Sequence, residues 1–266
     1  MEETIQKLGS SSATDAAEQD QLTQHYSYWI KPILGYWDIR GLGQPIRMML
    51  AYANLDYEEE KFETSQDPAS RSSWLDEKFK RGMPFPNLPH FVDKNENGEL
   101  FVVTEHNAIM YYIADRYCHE LLGATPEERA TTDMLLGVVL DFRFATTMEL
   151  YTNPNPDLEK LKNAAFEKAS FFSDYLRNKD FSLGNKLSYA DFSIYEVLNY
   201  ADFLCGKPFF ERYWDLLDYV KRIEALPQLQ SFFAEHGIEG KEPFNLKFAA
   251  LVNYPEVNYN PTRNID

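Results

Sequence analysis

KPILGYWDIRGLGQPIR, residues 31–47, is the stretch on which the reading of the whole chain turns. A short apolar run, Ile33–Tyr36, reads as a β-strand and ends on two aromatics, Tyr36 and Trp37. A turn bounded by Gly41 and Gly43 follows, and then a helix. Pro45 is tolerated at a first helical turn, and Ile46, Met49, Leu50 and Ala53 recur at helical spacing behind it. An aromatic that only fills a core usually lies inside an element. The Tyr36 phenol instead falls where the strand stops and the chain reverses.

Working outward, Tyr57–Phe62 alternates as a second strand, and Ser72–Lys80 reads as a short helix or loop. Pro89–Val92 and Leu100–Val103 are two further strands, and Asn97-Gly98 between them signals a hairpin because both residues tolerate positive φ. Thr104–Tyr117 follows as a helix. The order β-α-β-(α)-β-β-α fits a small α/β sheet domain over residues 31–119. Strand signals then stop. Leu135, Val138, Val139 and Phe142 mark one face of a long helix from about Pro126 to Tyr151, and helical patterns recur at Leu158–Asn178, Tyr189–Phe203 and Glu211–Glu224. A boundary near 119–125 therefore precedes an all-helical domain, residues 125–252, and a C-terminal tail, residues 253–266. Ser188 and Asp191 have the spacing of a capping box at the start of the Tyr189 helix.

Composition narrows the function classes. The chain of 266 residues is 44% hydrophobic and 15% aromatic, which suits globular domains with real cores. With 26 basic and 42 acidic residues its net charge is −16, which argues against nucleic acid or an anionic membrane as main partner. No apolar run approaches the roughly 20 residues needed to cross a bilayer. Cys118 and Cys205 form neither a CxxC nor a metal spacing, so a reduced, cytoplasmic setting is expected. The histidines, at 25, 90, 106, 119 and 236, show no metal-ligand pattern. Residues 1–30 are polar and lack the apolar core of a signal peptide. They read as a flexible extension, with a docking arm as the alternative because His25–Ile30 (HYSYWI) turns aromatic.

Several residues could carry chemistry. Asn87-Leu88-Pro89 places an X–Pro bond at a strand entry, where a cis peptide would leave the Leu88 backbone free to pair with an extended peptide; an ordinary turn is the competing reading. Glu105 and His106 open a helix, where unpaired N–H groups attract anions, while the Glu105 carboxylate suits an ammonium. Arg71 and Lys78 flank Trp74 and could meet a carboxylate, or simply form a solvated charged face.

Taken together with WLDEKFKRGMPFPNLPHFVD (74–93), NAIMYYIA (107–114), NPDLEKLK (155–162) and LSYADFSIYEVL (187–198), the opening stretch resembles the glutathione S-transferases, the mu class in particular. The resemblance runs with few gaps from about Lys31 to Ala250. It implies a thioredoxin-like glutathione-binding domain, a helical second domain and a dimer. By the same resemblance Tyr36 is the catalytic phenol, donating to the glutathione sulfur and favouring thiolate over thiol. Trp37, Arg71, Trp74 and Lys78 would contact the glutathione backbone and glycine carboxylate, and Asn87 and Leu88 the peptide groups of its cysteine. Glu105 and His106 would hold the γ-glutamyl end, with His106 standing where the family carries a small hydroxyl residue. Asp141, rather than Asp133, would reach across the dimer to the ligand's amino group, and Phe85 would insert between helices of the partner subunit. Tyr36, Leu42 and Tyr151, under the segment around Phe244–Leu246, would line the acceptor pocket.

The leading expectation is a cytoplasmic, dimeric detoxification enzyme that joins glutathione, as co-substrate, to hydrophobic electrophiles without a metal. Two others are kept: a catalytically weak subunit of a larger assembly, suggested by His106 and the extensions, and a glutathione-dependent isomerase using the same thiolate site.

Overall fold

The structure, a computed structural model, describes residues 13–63, 72–237 and 242–251. Four strands form one mixed sheet in the order β2-β1-β3-β4, with β1 at Ile33–Trp37, β2 at Glu58–Phe62, β3 at His90–Lys94 and β4 at Leu100–Thr104. β1 runs parallel to β2 and antiparallel to β3, with Gly35 opposite His90. The parallel β1–β2 pair needs a crossover, which α2 (Gly43–Tyr52) supplies. β3 and β4 are joined by a five-residue loop, 95–99. It is organised by Asn95, whose side-chain oxygen accepts from the Asn97 and Glu99 N–H groups. The expected hairpin is present, but only Gly98 of the Asn97-Gly98 pair has positive φ, and the chain turns through a longer Asx-type loop.

Alternate residues of the central strands face opposite ways, and two cores result. Leu34 and Phe91 join α2, α4 (His106–Tyr117) and the helices beyond, while Ile33 and Val92 face a smaller cluster with Phe62, Trp74 and Met83. The segment 72–80 is a single turn, α3 (Ser72–Leu75), followed by a 3-10 turn at Lys78–Lys80.

That second cluster also contains Leu22 and Tyr26, so residues 13–26, part of the stretch read as a flexible extension, are docked on the sheet. Ala13–Tyr26 is a helix, α1. Its composition is so polar that hydropathy hides it, yet Leu22 and Tyr26 lie four residues apart on one face and are almost fully buried. Two such anchors dock a helix that has no apolar stripe of its own. Residues 1–12 and the tail from 252 lie outside the described residues.

The helical part comprises α5 (Pro126–Thr152), α6 (Leu158–Leu176), α7 (Tyr189–Cys205), α8 (Pro208–Arg212), α9 (Trp214–Glu224) and α10 (Gln230–His236). Glu211–Glu224 is thus two helices, broken at Tyr213. The Ser188–Asp191 capping box is formed, Asp191 accepting from the Ser188 N–H at 2.7 Å. α7 is buried along nearly its whole length and packs on α2 and α5, so the two halves of the chain share one apolar core.

One charged pair also crosses that boundary. Arg40, in the turn between β1 and α2, donates from Nε to Glu196 Oε1 at 3.1 Å and from Nη2 to Oε2 at 2.6 Å, and both side chains are only 1% exposed. The Arg40 N–H reaches the Pro243 carbonyl, and its guanidinium lies 4.4 Å over the Phe244 ring. Removing one partner of a buried pair strands the other charge. Glu196→Gln is expected to destabilise the protein by about 3–5 kcal/mol in urea unfolding. Arg40→Met combined with Glu196→Leu should cost less than the single change; a larger cost for the double variant would contradict the assignment.

Candidate functional site

Tyr36 is the fourth residue of β1, and the turn after it folds back over its ring. A Cβ added to Gly43 would lie 2.5 Å from Tyr36 Cδ1, so only glycine lets the backbone approach this closely. The Leu42 N–H then donates to the Tyr36 hydroxyl oxygen at 2.9 Å. With its oxygen filled from behind, the phenol keeps its own O–H for another acceptor. Burial pushes the phenol above its ordinary value of 10, partly offset by the Arg143 guanidinium and the Leu42 N–H, so Tyr36 is a protonated donor at neutral pH.

The other side of the same peptide is held by His106. Its Nδ1–H donates to the Leu42 carbonyl at 2.9 Å, which leaves Nε2 to accept from the Ser193 hydroxyl of α7 at 3.0 Å. The ring is buried and its pKa lowered to about 4, chiefly by desolvation, which keeps it neutral, and the Leu42 carbonyl, able only to accept, fixes this tautomer. The ring turns into the seam between the two halves and fastens the loop behind Tyr36. As the first residue of α4, His106 has no intrahelical acceptor for its N–H.

The remaining sequence candidates distribute around this centre. The Leu88–Pro89 peptide is cis. Asn87 donates from Nδ2 to Glu105 Oε1 at 2.9 Å, and Glu105 has φ +71, a left-handed conformation rare outside glycine. Trp37 packs edge-on against Phe62. Trp74 is buried, stacked on His90 with ring centroids 5.7 Å apart, and the Lys78 ammonium lies over the Phe79 ring. Asp141 is exposed on α5, whereas Asp133 accepts from the Tyr189 hydroxyl. Phe85 is 80% exposed. Arg71 lies outside the described residues.

Tyr151 meets the segment expected over it through its hydroxyl. Its O–H donates to Asn245 Oδ1 at 3.0 Å while its oxygen accepts from the Leu246 N–H at 3.2 Å. In this structure the hydroxyl fastens the segment 242–251 across the second half. Phe244 is accordingly buried, stacked on Phe203, while Leu246 packs against the cluster that contains Tyr36. Arg143, Arg40, Glu196 and Ser193 were not singled out from sequence. Arg40 and Glu196 lie 156 positions apart, and nothing local to either marks the pair.

Residues 32–115 match the family model of the glutathione S-transferase N-terminal domain, and residues 140–236 match that of the C-terminal domain. Glutathione S-transferase B of Cavia porcellus is 39% identical over 221 residues, covering 81% of this chain and 96% of that relative. Glutathione S-transferase Mu 1 of Bos taurus is 38% identical over 205 residues, 75% and 89% respectively. The crystal structure of the glutathione S-transferase Blo t 8 superposes with a TM-score of 0.69 at 28% identity, covering 82% of this chain and 99% of that one. The chain belongs to the glutathione S-transferase family.

The His106 environment has a pH signature. Folded, the ring titrates near 4; unfolded, near its ordinary value of 6.5. Between these values the unfolded chain binds a proton that the folded one does not, so stability falls as pH drops through the window. From pH 7 to pH 5 the loss from this residue is about 1–2 kcal/mol. His106→Asn, which does not titrate, is expected to lose that much less over the same interval in urea unfolding. Equal losses in both proteins would mean that the imidazole is not buried in its neutral form.

Proposed function

We propose that the protein conjugates glutathione to hydrophobic electrophiles, with Tyr36 stabilising the thiolate. The observation that most supports this is the Leu42 N–H bonded to the Tyr36 oxygen, which leaves the phenolic proton free for the sulfur. A hydrogen bond from a positioned donor favours the charged thiolate over the thiol. The thiol proton leaves to solvent, the sulfur attacks the electrophilic carbon, a C–S bond forms, and with an aryl halide the halide departs with its bonding electrons. Fixing thiolate and acceptor side by side supplies the rest of the rate. The reaction drawn this way uses glutathione as co-substrate and needs no metal.

In this reading Asn87 and Leu88 meet the cysteine part of glutathione. Glu105, with the N–H of residue 106, takes the γ-glutamyl end, and Trp37, Trp74, Lys78 and Arg71 take the glycine end. The exposed Asp141 reaches the ligand in a partner subunit. Leu42 and Tyr36 border the acceptor. Tyr151 can donate to the acceptor only when Asn245 releases it. A homodimer with Phe85 as its inserted aromatic accounts for the exposure of Phe85. Cytoplasmic detoxification fits the absence, among the described residues, of a helix long and apolar enough to cross a membrane, together with the two free cysteines. The scaffold alternative loses its main motive, since the His106 ring is occupied in the seam.

Tyr36→Phe tests the reading. Loss of a hydrogen bond to a charged group, on the order of 1.5–3 kcal/mol, should lower kcat/KM for an aryl chloride about tenfold to a hundredfold near neutral pH. A fall of less than severalfold would remove Tyr36 from the role of activator.

A further inference from the structure

Helix α1 precedes the stretch matched by the family models, and it does not simply rest on the surface. Its backbone crosses Gly82 so closely that a Cβ there would lie 2.1 Å from the Glu18 carbonyl oxygen and 2.5 Å from the Leu22 nitrogen. Arg81 donates from Nη1 to the Tyr26 hydroxyl at 2.9 Å and to Glu60 Oε2 at 2.7 Å. The Tyr26 oxygen also lies 3.3 Å from His90 Nε2, and the other face of that imidazole environment is filled by the Trp74 ring. Leu22 and Tyr26 thereby share one apolar cluster with Trp74, Met83, Leu88 and Tyr36. Burial opposes ionisation of Glu60, but His90 and Arg81 hold its pKa down at about 2, so the network stays charged and closed at neutral pH.

We propose that α1 is a positioning element for glutathione: through Leu22 and Tyr26 it fixes residues 72–88, the segment carrying Trp74, Lys78, Asn87 and Leu88. The inference rests on the glutathione-binding role given to that segment above. Besides α1 the segment is held by the Trp74 stack on His90, the Arg81–Glu60 pair and the Asn87–Glu105 hydrogen bond, but it has little regular structure of its own. α3 is one turn long, the Lys78–Lys80 turn is another, and Phe79 is largely exposed. Short elements with few interior contacts open locally at low free-energy cost, and ordering them on binding lowers affinity. A helix docked in advance removes that cost. Tyr36, by contrast, is held by Leu42, His106 and the α7 seam, so α1 should affect how tightly glutathione binds and leave the thiol's acidity alone.

The test uses the full chain carrying L22D with Y26A, which undocks the helix, and Y26F, which keeps the ring and removes the hydroxyl. Glutathione titration by calorimetry, thiolate absorbance of the bound ligand against pH, and amide hydrogen exchange are compared with the wild type well below the melting temperature. The double variant should raise Kd for glutathione about three- to tenfold, speed exchange in 72–88 with α5–α7 unchanged, and leave the bound-thiol pKa where it is. Y26F should move Kd the same way by less. Wild type and both variants binding equally would overturn the positioning role alone, as would a bound-thiol pKa that shifts together with Kd. A wild type that binds no glutathione would overturn the functional reading, and this inference with it. Should the double variant fail to fold, Y26F decides: unchanged Kd and unchanged exchange in 72–88 would reject the role.

Discussion

A tyrosine hydroxyl has one proton to give, and much of the structure around Tyr36 secures what its oxygen receives. The Leu42 N–H fills that oxygen, and the peptide carrying it is gripped from its other side by His106, which in turn is held by Ser193. Two residues earlier in the same turn, Arg40 is tied to Glu196 and to the Pro243 carbonyl. Every one of these partners beyond His106 belongs to the helical half of the chain. The donor on the sheet domain is therefore preorganised by the second domain, and the tight glycine turn at 41–43 is what allows the backbone to come so near the ring.

This arrangement explains how a chain with histidine at position 106 can keep the proposed chemistry. A buried neutral imidazole satisfies both ring nitrogens only if each finds a complementary partner, a carbonyl for the N–H and a hydroxyl for the lone pair. Leu42 and Ser193 supply those two. The cost of burying the ring is met by bonds that also stiffen the loop, so the residue that looked like an obstacle in the sequence serves as a brace.

Elements whose signals are local could be read before the structure: the Tyr36 strand end, the α2 periodicity, the Ser188 capping box and the three long helices α5, α6 and α7. What could not be read depends on pairs far apart in sequence. Arg40 and Glu196 are each unremarkable alone, and the direction of the His106 ring depends on Ser193, 87 residues away. α1 escaped because its docking uses only Leu22 and Tyr26 in an otherwise polar stretch. The break at Tyr213 and the Asn95 turn were missed for a smaller reason: a single residue decided each, Tyr213 by its backbone dihedrals and Asn95 by its side-chain oxygen. Of the candidate site residues, the strand end marks Tyr36 in the sequence, whereas the commitment of the Tyr151 proton to Asn245 required the fold of residues 242–251.

The proposed chemistry turns on Tyr36 presenting a free, protonated hydroxyl to a thiol. Absorbance of the bound glutathione thiolate, followed across pH in the wild-type protein, addresses it most directly. The account predicts a bound-thiol pKa at least one unit below that of free glutathione, the shift expected when a positioned donor favours the charged form. Glutathione that binds with its thiol pKa unchanged would contradict it.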